Sequence, residues 1–192
     1  MTIKQHLARA ILRLFGWRAE GERPEAPQFV MIAAPHTSNW DFPLLLLYAA
    51  AFDINMSWLG KHHLFKPHLG WFMRLVGGVP VYRHENRNLV EDMAATFKDH
   101  EDLVIVIPAE GTRRRSEYWK SGFYHVARTA GVPIVPSYLD YGQKRGGFGP
   151  VLTPTGDVAT DMDFFREFYA PMRGKYPEYF GPIRLREEAS EK

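Results

Sequence analysis

Cysteine is absent from the 192 residues. Its absence excludes disulfides, thiolate zinc sites, iron–sulfur clusters and a cysteine nucleophile, and it fits a reducing compartment. Long apolar runs are lacking too. A bilayer-spanning helix needs about 20 consecutive apolar residues. The longest run here, Phe42 to Phe52, is eleven residues with Pro43 inside it. No charge of one sign dominates: 24 Lys+Arg against 22 Asp+Glu leave +2, too small an excess for a chain built to coat nucleic acid. There is no Gly-rich phosphate loop followed by Lys-Ser/Thr, no Gly-x-Gly-x-x-Gly and no Gly-x-Ser-x-Gly, so nucleotide-fold and serine-elbow chemistry are unsupported. His62, His63 and His68 lack a carboxylate set at ligand spacing, and no metal or other cofactor is expected. Lys4, His6, Arg9 and Arg13 interrupt the first fifteen residues, so no signal-peptide apolar region forms.

What is present suits one globular domain. Apolar residues make up 45% and charged residues 24%, ordinary usage for a folded chain of this length. Aromatic residues, at 14%, are plentiful. Near the N-terminus, Ile3, Leu7, Ala10, Ile11, Leu14 and Phe15 share one helical face, with Gln5, Arg9 and Arg13 opposite and Trp17 following. Such a basic amphipathic helix either lies in a membrane interface or caps the domain's own core. Residues 1–20 are therefore expected as an amphipathic, membrane-associating helix, 21–186 as the folded domain and 187–192 as a polar tail.

Strands and helices then alternate. Strands are expected at 29–34, 56–59, 79–82, 103–107 and 134–139; helices at 41–52, 67–75, 88–97, 123–129 and 161–169. A Gly-rich turn over 142–149 suggests a hairpin with Val151-Leu152. The central strands are uniformly apolar, as parallel strands covered on both faces are. The expectation is a single α/β domain with a mostly parallel central sheet flanked by helices. In such sheets chemistry sits at the carboxyl ends of strands.

Polar segments occupy those ends. His36 and Asp41 straddle the strand-to-helix turn after Ala34, between Pro35 and Pro43. A carboxylate there can fix the imidazole tautomer and leave Nε2 as a base, although Asp41 could equally be a helix N-cap beside a loop histidine. Glu110-Gly111-Thr112-Arg113-Arg114-Arg115 follows the strand ending at Ile107. Gly111 permits close backbone approach, and Thr112 with the guanidinium groups can hold a phosphate. Arg83 and Lys61 end two further strands.

Together these segments resemble the glycerolipid acyltransferases, typified by 1-acylglycerol-3-phosphate acyltransferase. His36-Thr37-Ser38-Asn39-Trp40-Asp41 is similar to the family's His-x4-Asp motif. Gly78-Val79-Pro80-Val81-Tyr82-Arg83, Glu110-Gly111-Thr112-Arg113 and Val132-Pro133-Ile134-Val135-Pro136 resemble its second, third and fourth motifs, in family order. The resemblance spans about residues 29–139. It implies a glycerol-3-phosphate acyltransferase-like fold and transfer of an acyl group from acyl-CoA or acyl carrier protein to a lysophospholipid hydroxyl, most readily that of 1-acylglycerol-3-phosphate. It implies His36 as general base and Asp41 as its orienting partner. Lys61, Arg83, Glu110, Gly111, Thr112 and Arg113 are then implied in the acceptor site. His63 stands where the family often carries Glu, and Arg114 and Arg115 depart from the common third motif.

Acyl transfer to a hydroxyl needs one base and no covalent enzyme intermediate, which agrees with the missing cysteine and serine elbow. Trp40, Phe42, Trp58, Phe65, Trp71 and Phe72 are candidates to line an acyl groove. A peripheral position on the cytoplasmic, inner face of the cell membrane is expected, with no nucleic-acid partner. Two other readings use the same residues: an acyl-thioester hydrolase with water as acceptor, and a non-catalytic module that binds anionic lipid.

Overall fold

The computed structural model describes residues 1–81 and 89–189. Among these residues seven strands form one sheet in the order β1-β7-β6-β2-β5-β3-β4. The strands are β1 (Arg18–Glu20), β2 (Gln28–Ala33), β3 (Met56–Lys61), β4 (Gly78–Val81), β5 (Leu103–Ile107), β6 (Ile134–Asp140) and β7 (Arg145–Phe148). Every pairing is parallel except β6 with β7, which is antiparallel. The helices are α1 (Ile3–Leu14), α2 (Asp41–Phe52), α3 (Pro67–Leu75), α4 (Leu89–Thr96), α5 (Gly122–Ala130) and α6 (Val158–Tyr169).

The central strands β2 and β5 alternate strictly between two cores. Phe29, Met31, Val104 and Val106 face α1 and α2, where Leu12, Tyr48 and Phe52 cover them. Val30, Ile32, Leu103 and Ile105 face the opposite layer, built on Phe123, Tyr124, Met162 and Phe165. Both faces are buried, so the strands read as unbroken apolar runs. The register Met31↔Val106 and Ile32↔Pro136 brings β2, β5 and β6 to a common carboxyl edge.

Four expectations need correction. The N-terminal helix ends at Leu14, and residues 18–20 form β1 instead, parallel to β7. Trp17 is correspondingly buried, edge-on to Tyr141 at 4.9 Å, rather than displayed at a helix end. The expected turn over 142–149 contains β7, and the reversal is confined to 141–144. The glycines there serve close approach: a Cβ on Gly146 would lie 2.6 Å from the Tyr48 ring, and one on Gly147 would lie 2.1 Å from the Glu20 carbonyl oxygen. Helix α6 starts at Val158, where Asp157 accepts the Thr160 N–H at 3.0 Å and caps it. Within the expected polar tail, Glu188 is bound: it accepts from Arg166 at 2.8 Å.

Helix α1 begins with a reciprocal cap, in which Thr2 accepts the Gln5 N–H and the Gln5 side chain accepts the Thr2 N–H. It packs on α2 through Ala8 and Leu12. The residue expected on its polar face, Arg9, turns inward, with its guanidinium 5.1 Å from the centre of the Phe52 ring. The apolar stripe faces outward: Ile3 is 89% exposed, Leu7 60%, Leu14 82% and Phe15 65%.

Candidate active site

The carboxyl end of β2 leads through Ala34-Pro35 into the turn before α2. Asp41 is the first residue of that helix, and its buried carboxylate organises the turn. Oδ2 accepts the N–H groups of Thr37 and Ser38, both at 2.9 Å. These are buried donors of the turn before the helix, which would otherwise be left unpaired. The same Oδ2 lies 3.2 Å from His36 Nδ1. A proton on Nδ1 then points at the carboxylate and leaves the Nε2 lone pair free, the arrangement a general base requires. Asp41 is not the N-cap of α2: Trp40 holds that place without a side-chain cap bond, and the Asp41 carboxylate is turned back to the preceding turn and His36.

The other oxygen, Oδ1, accepts the hydroxyl of Tyr141 at 2.8 Å. Burial, and then that bond, push the Tyr141 phenol far above its ordinary range, so it stays a donor. The Tyr141 N–H donates in turn to the Arg173 carbonyl at 2.8 Å. Residues 173–176 run across the His36 turn: the Tyr176 N–H donates to Thr37 Oγ1 at 3.3 Å, and Lys175 sits 5.3 Å over the Trp40 ring. A Cβ on Gly174 would come within 2.6 Å of Thr37 Oγ1, so only glycine fits that crossing.

Glu110, at the carboxyl end of β5, lies below the same turn. It is 1% exposed, and its Oε1 accepts the His36 backbone N–H at 2.6 Å. Oε2 is buried without a hydrogen-bond partner among the described residues. Burial pushes the carboxyl up to about 8; the His36 N–H opposes this, and the nearby Asp41 charge adds to it.

A cavity of about 540 Å³ opens at this turn and runs between α2 and the sheet. His36, Asn39, His63 and Arg113 line its polar end. Met31, Leu45, Ala49, Ile54, Val106 and Phe148 line its apolar length. Two of the expected groove aromatics, Phe42 and Trp58, also line it, edge to face at 4.8 Å. Phe65 packs behind Trp58 at 6.0 Å. Trp40 and Trp71 are each mostly exposed.

A family model described as Acyltransferase matches residues 18–140. The chain belongs to the acyltransferase family. The match takes in His36, Asp41, Glu110 and Arg113, whereas α1 precedes it and Tyr141, α6 and the 173–176 crossing follow it. The sequence has no match among curated proteins. Among solved structures, the fold is similar to that of the 1-acyl-sn-glycerophosphate (LPA) acyltransferase PlsC from Thermotoga maritima. The TM-score is 0.60 and the identity 19%, over 85% of this chain and 73% of that one.

In this acyltransferase the residues expected in the acceptor site part company. Arg113 is exposed at the cavity mouth. Gly111 adopts a positive φ of 66°, and Thr112 Oγ1 accepts the Arg114 N–H at 3.3 Å, so the loop curls on itself. Glu110 points away from these residues, under His36. Arg83 lies outside the described residues, as does the side chain of Lys61. Tyr141 was not anticipated. Its signal was its position, just beyond the carboxyl end of an apolar strand, the same kind of place that holds His36.

Proposed function

We propose that this acyltransferase moves a fatty acyl group from an acyl thioester, acyl-CoA or acyl carrier protein, to the free hydroxyl of a lysophospholipid, most readily 1-acylglycerol-3-phosphate. One observation carries the reading: the His36–Asp41 pair, 3.2 Å apart, stands at the mouth of an apolar cavity. His36 Nε2 takes the proton as the acceptor oxygen attacks the thioester carbonyl. The C–O bond forms, the C–S bond breaks, and His36 returns the proton to the departing thiolate. A positioned base of this kind contributes about 10²–10⁴-fold in rate. The cavity between α2 and the sheet takes the acyl chain, and Arg113 at its mouth meets the acceptor phosphate.

The acceptor and the acyl products are amphiphiles, and α1 suits a protein that works on a lipid surface. Its outward stripe of Ile3, Leu7, Leu14 and Phe15 would enter the headgroup boundary while Ala8 and Leu12 hold the helix to α2. Lys4 of α1 shares a groove with Leu75 and Val79, which places exposed apolar residues of α3 and β4 beside the start of the helix. Among the described residues no helix is long and apolar enough to cross a membrane.

The test is thiol release from an acyl thioester, with and without lysolipid, by wild type and His36→Ala. The proposal expects release that depends on the acceptor and is lost in the variant. Equal release without acceptor would make the protein a thioester hydrolase.

A further inference from the structure

The carboxylate of Asp41 is held on both sides. Oδ2 is fixed by the Thr37 and Ser38 N–H groups and faces His36. Among the described residues Oδ1 has one hydrogen-bond partner, the Tyr141 hydroxyl, at 2.8 Å. The Tyr141 ring is wedged edge-on against Trp17, with centroids 4.9 Å apart and planes at 88°. Tyr141 lies beyond the family match and belongs to none of the four motifs.

We propose that Tyr141 is a positioning residue that acts through Asp41: its hydroxyl draws negative charge toward Oδ1 and so keeps His36 an unprotonated base down to a lower pH than the bare His–Asp pair would. The inference rests on the acyl-transfer reading. Two donors already pin Oδ2, so loss of the hydroxyl leaves the carboxylate in place and changes its charge distribution. More charge then falls on Oδ2, which stabilises imidazolium more strongly. The other titratable groups around the pair are Glu110 below the turn, His63 and Arg113 across the cavity mouth, and Lys175 and Tyr176 on the crossing segment. Among these groups and Tyr141, only the Tyr141 hydroxyl makes a hydrogen bond to Asp41.

The experiment is Tyr141→Phe, which keeps the ring against Trp17 and removes only the hydroxyl. The acid limb of kcat/KM moves to higher pH by about 0.5, so activity below the limb falls about threefold. Above the limb, kcat and the acceptor KM stay within about twofold of wild type. Site-specific 3-fluorotyrosine at position 141, a stronger donor of nearly the same shape, moves the limb the other way. The pH midpoint of the His36 ring resonances, followed by NMR without substrate, shifts in step in both variants. That readout stands even if the protein proves not to transfer acyl groups. An unmoved limb together with an unmoved His36 midpoint overturns the proposal. So does a variant that only lowers thermal stability and scales kcat down equally at every pH.

Discussion

The Glu110 carboxylate and the His36 backbone N–H meet at 2.6 Å across 74 residues of sequence. The contact ties the end of β5 to the end of β2 beneath the base. Burial pushes the Glu110 carboxyl up to about 8, against the His36 N–H, which favours the ionised form.

Stability should therefore depend on pH through Glu110 in the window that its shift spans. Between its ordinary value of 4.5 and about 8, the folded state keeps a proton that the unfolded chain has lost. Folding stability falls as pH rises through that window and levels off above it, by up to about 5 kcal/mol. Glu110→Gln keeps an oxygen for the His36 N–H and cannot ionise. Urea midpoints at pH 5.5 and 8.5 should drop for wild type and stay nearly level for the variant. Parallel profiles would show that Glu110 does not carry the dependence. Activity of the variant at neutral pH should remain close to wild type.

Helix α1 gives a second prediction. Leu7→Asp with Leu14→Asp changes two side chains that contact little in the fold, so unfolding should move by less than about 1 kcal/mol. Each exposed leucine is worth about 1.5–3 kcal/mol when fully buried. Sedimentation with anionic phospholipid vesicles should weaken at least about tenfold, while turnover of a short-chain, water-soluble acceptor is unchanged. Vesicle binding equal to wild type would assign the stripe some other role.

The acyl cavity gives a third. Ala49 lies on α2 within its apolar wall, and Ile54 follows the end of that helix. Both also line the neighbouring groove, so they form the partition between the two spaces. Ala49→Leu narrows the cavity at a packing cost of about 1–3 kcal/mol. In competition among acyl thioesters of graded length, the preference should move to shorter chains. An unchanged preference would place the acyl chain elsewhere.

Much of the fold was legible because local signals agreed with tertiary demands. Helices 41–52 and 67–75 and strand 103–107 are bounded as expected, with Pro43 and Pro67 in first turns and Pro108 closing the strand. The His36–Asp41 pair was legible for the same reason, since five residues across a strand-to-helix turn form a local arrangement. Strand β1 was hidden because Arg18–Glu20 is extended only by pairing with β7. Strand β7 was hidden because Gly146 and Gly147 read as a turn, and their purpose, room for the Tyr48 ring and the Glu20 backbone, is tertiary. The inward turn of Arg9 over Phe52 is a tertiary contact that the helical periodicity of α1 does not show. Tyr141 and Glu110 reach their partners from 100 and 74 residues away, a distance no spacing rule covers.

The most direct measurement is lipid mass spectrometry after incubating the protein with mixed acyl thioesters, on CoA and on acyl carrier protein, and a panel of lysophospholipids. Wild type should yield a new diacyl phospholipid, with most product from 1-acylglycerol-3-phosphate, and His36→Ala should yield at least about 100-fold less. No diacyl product from any acceptor with either carrier, or equal product from His36→Ala, would contradict acyl transfer through the His36–Asp41 pair.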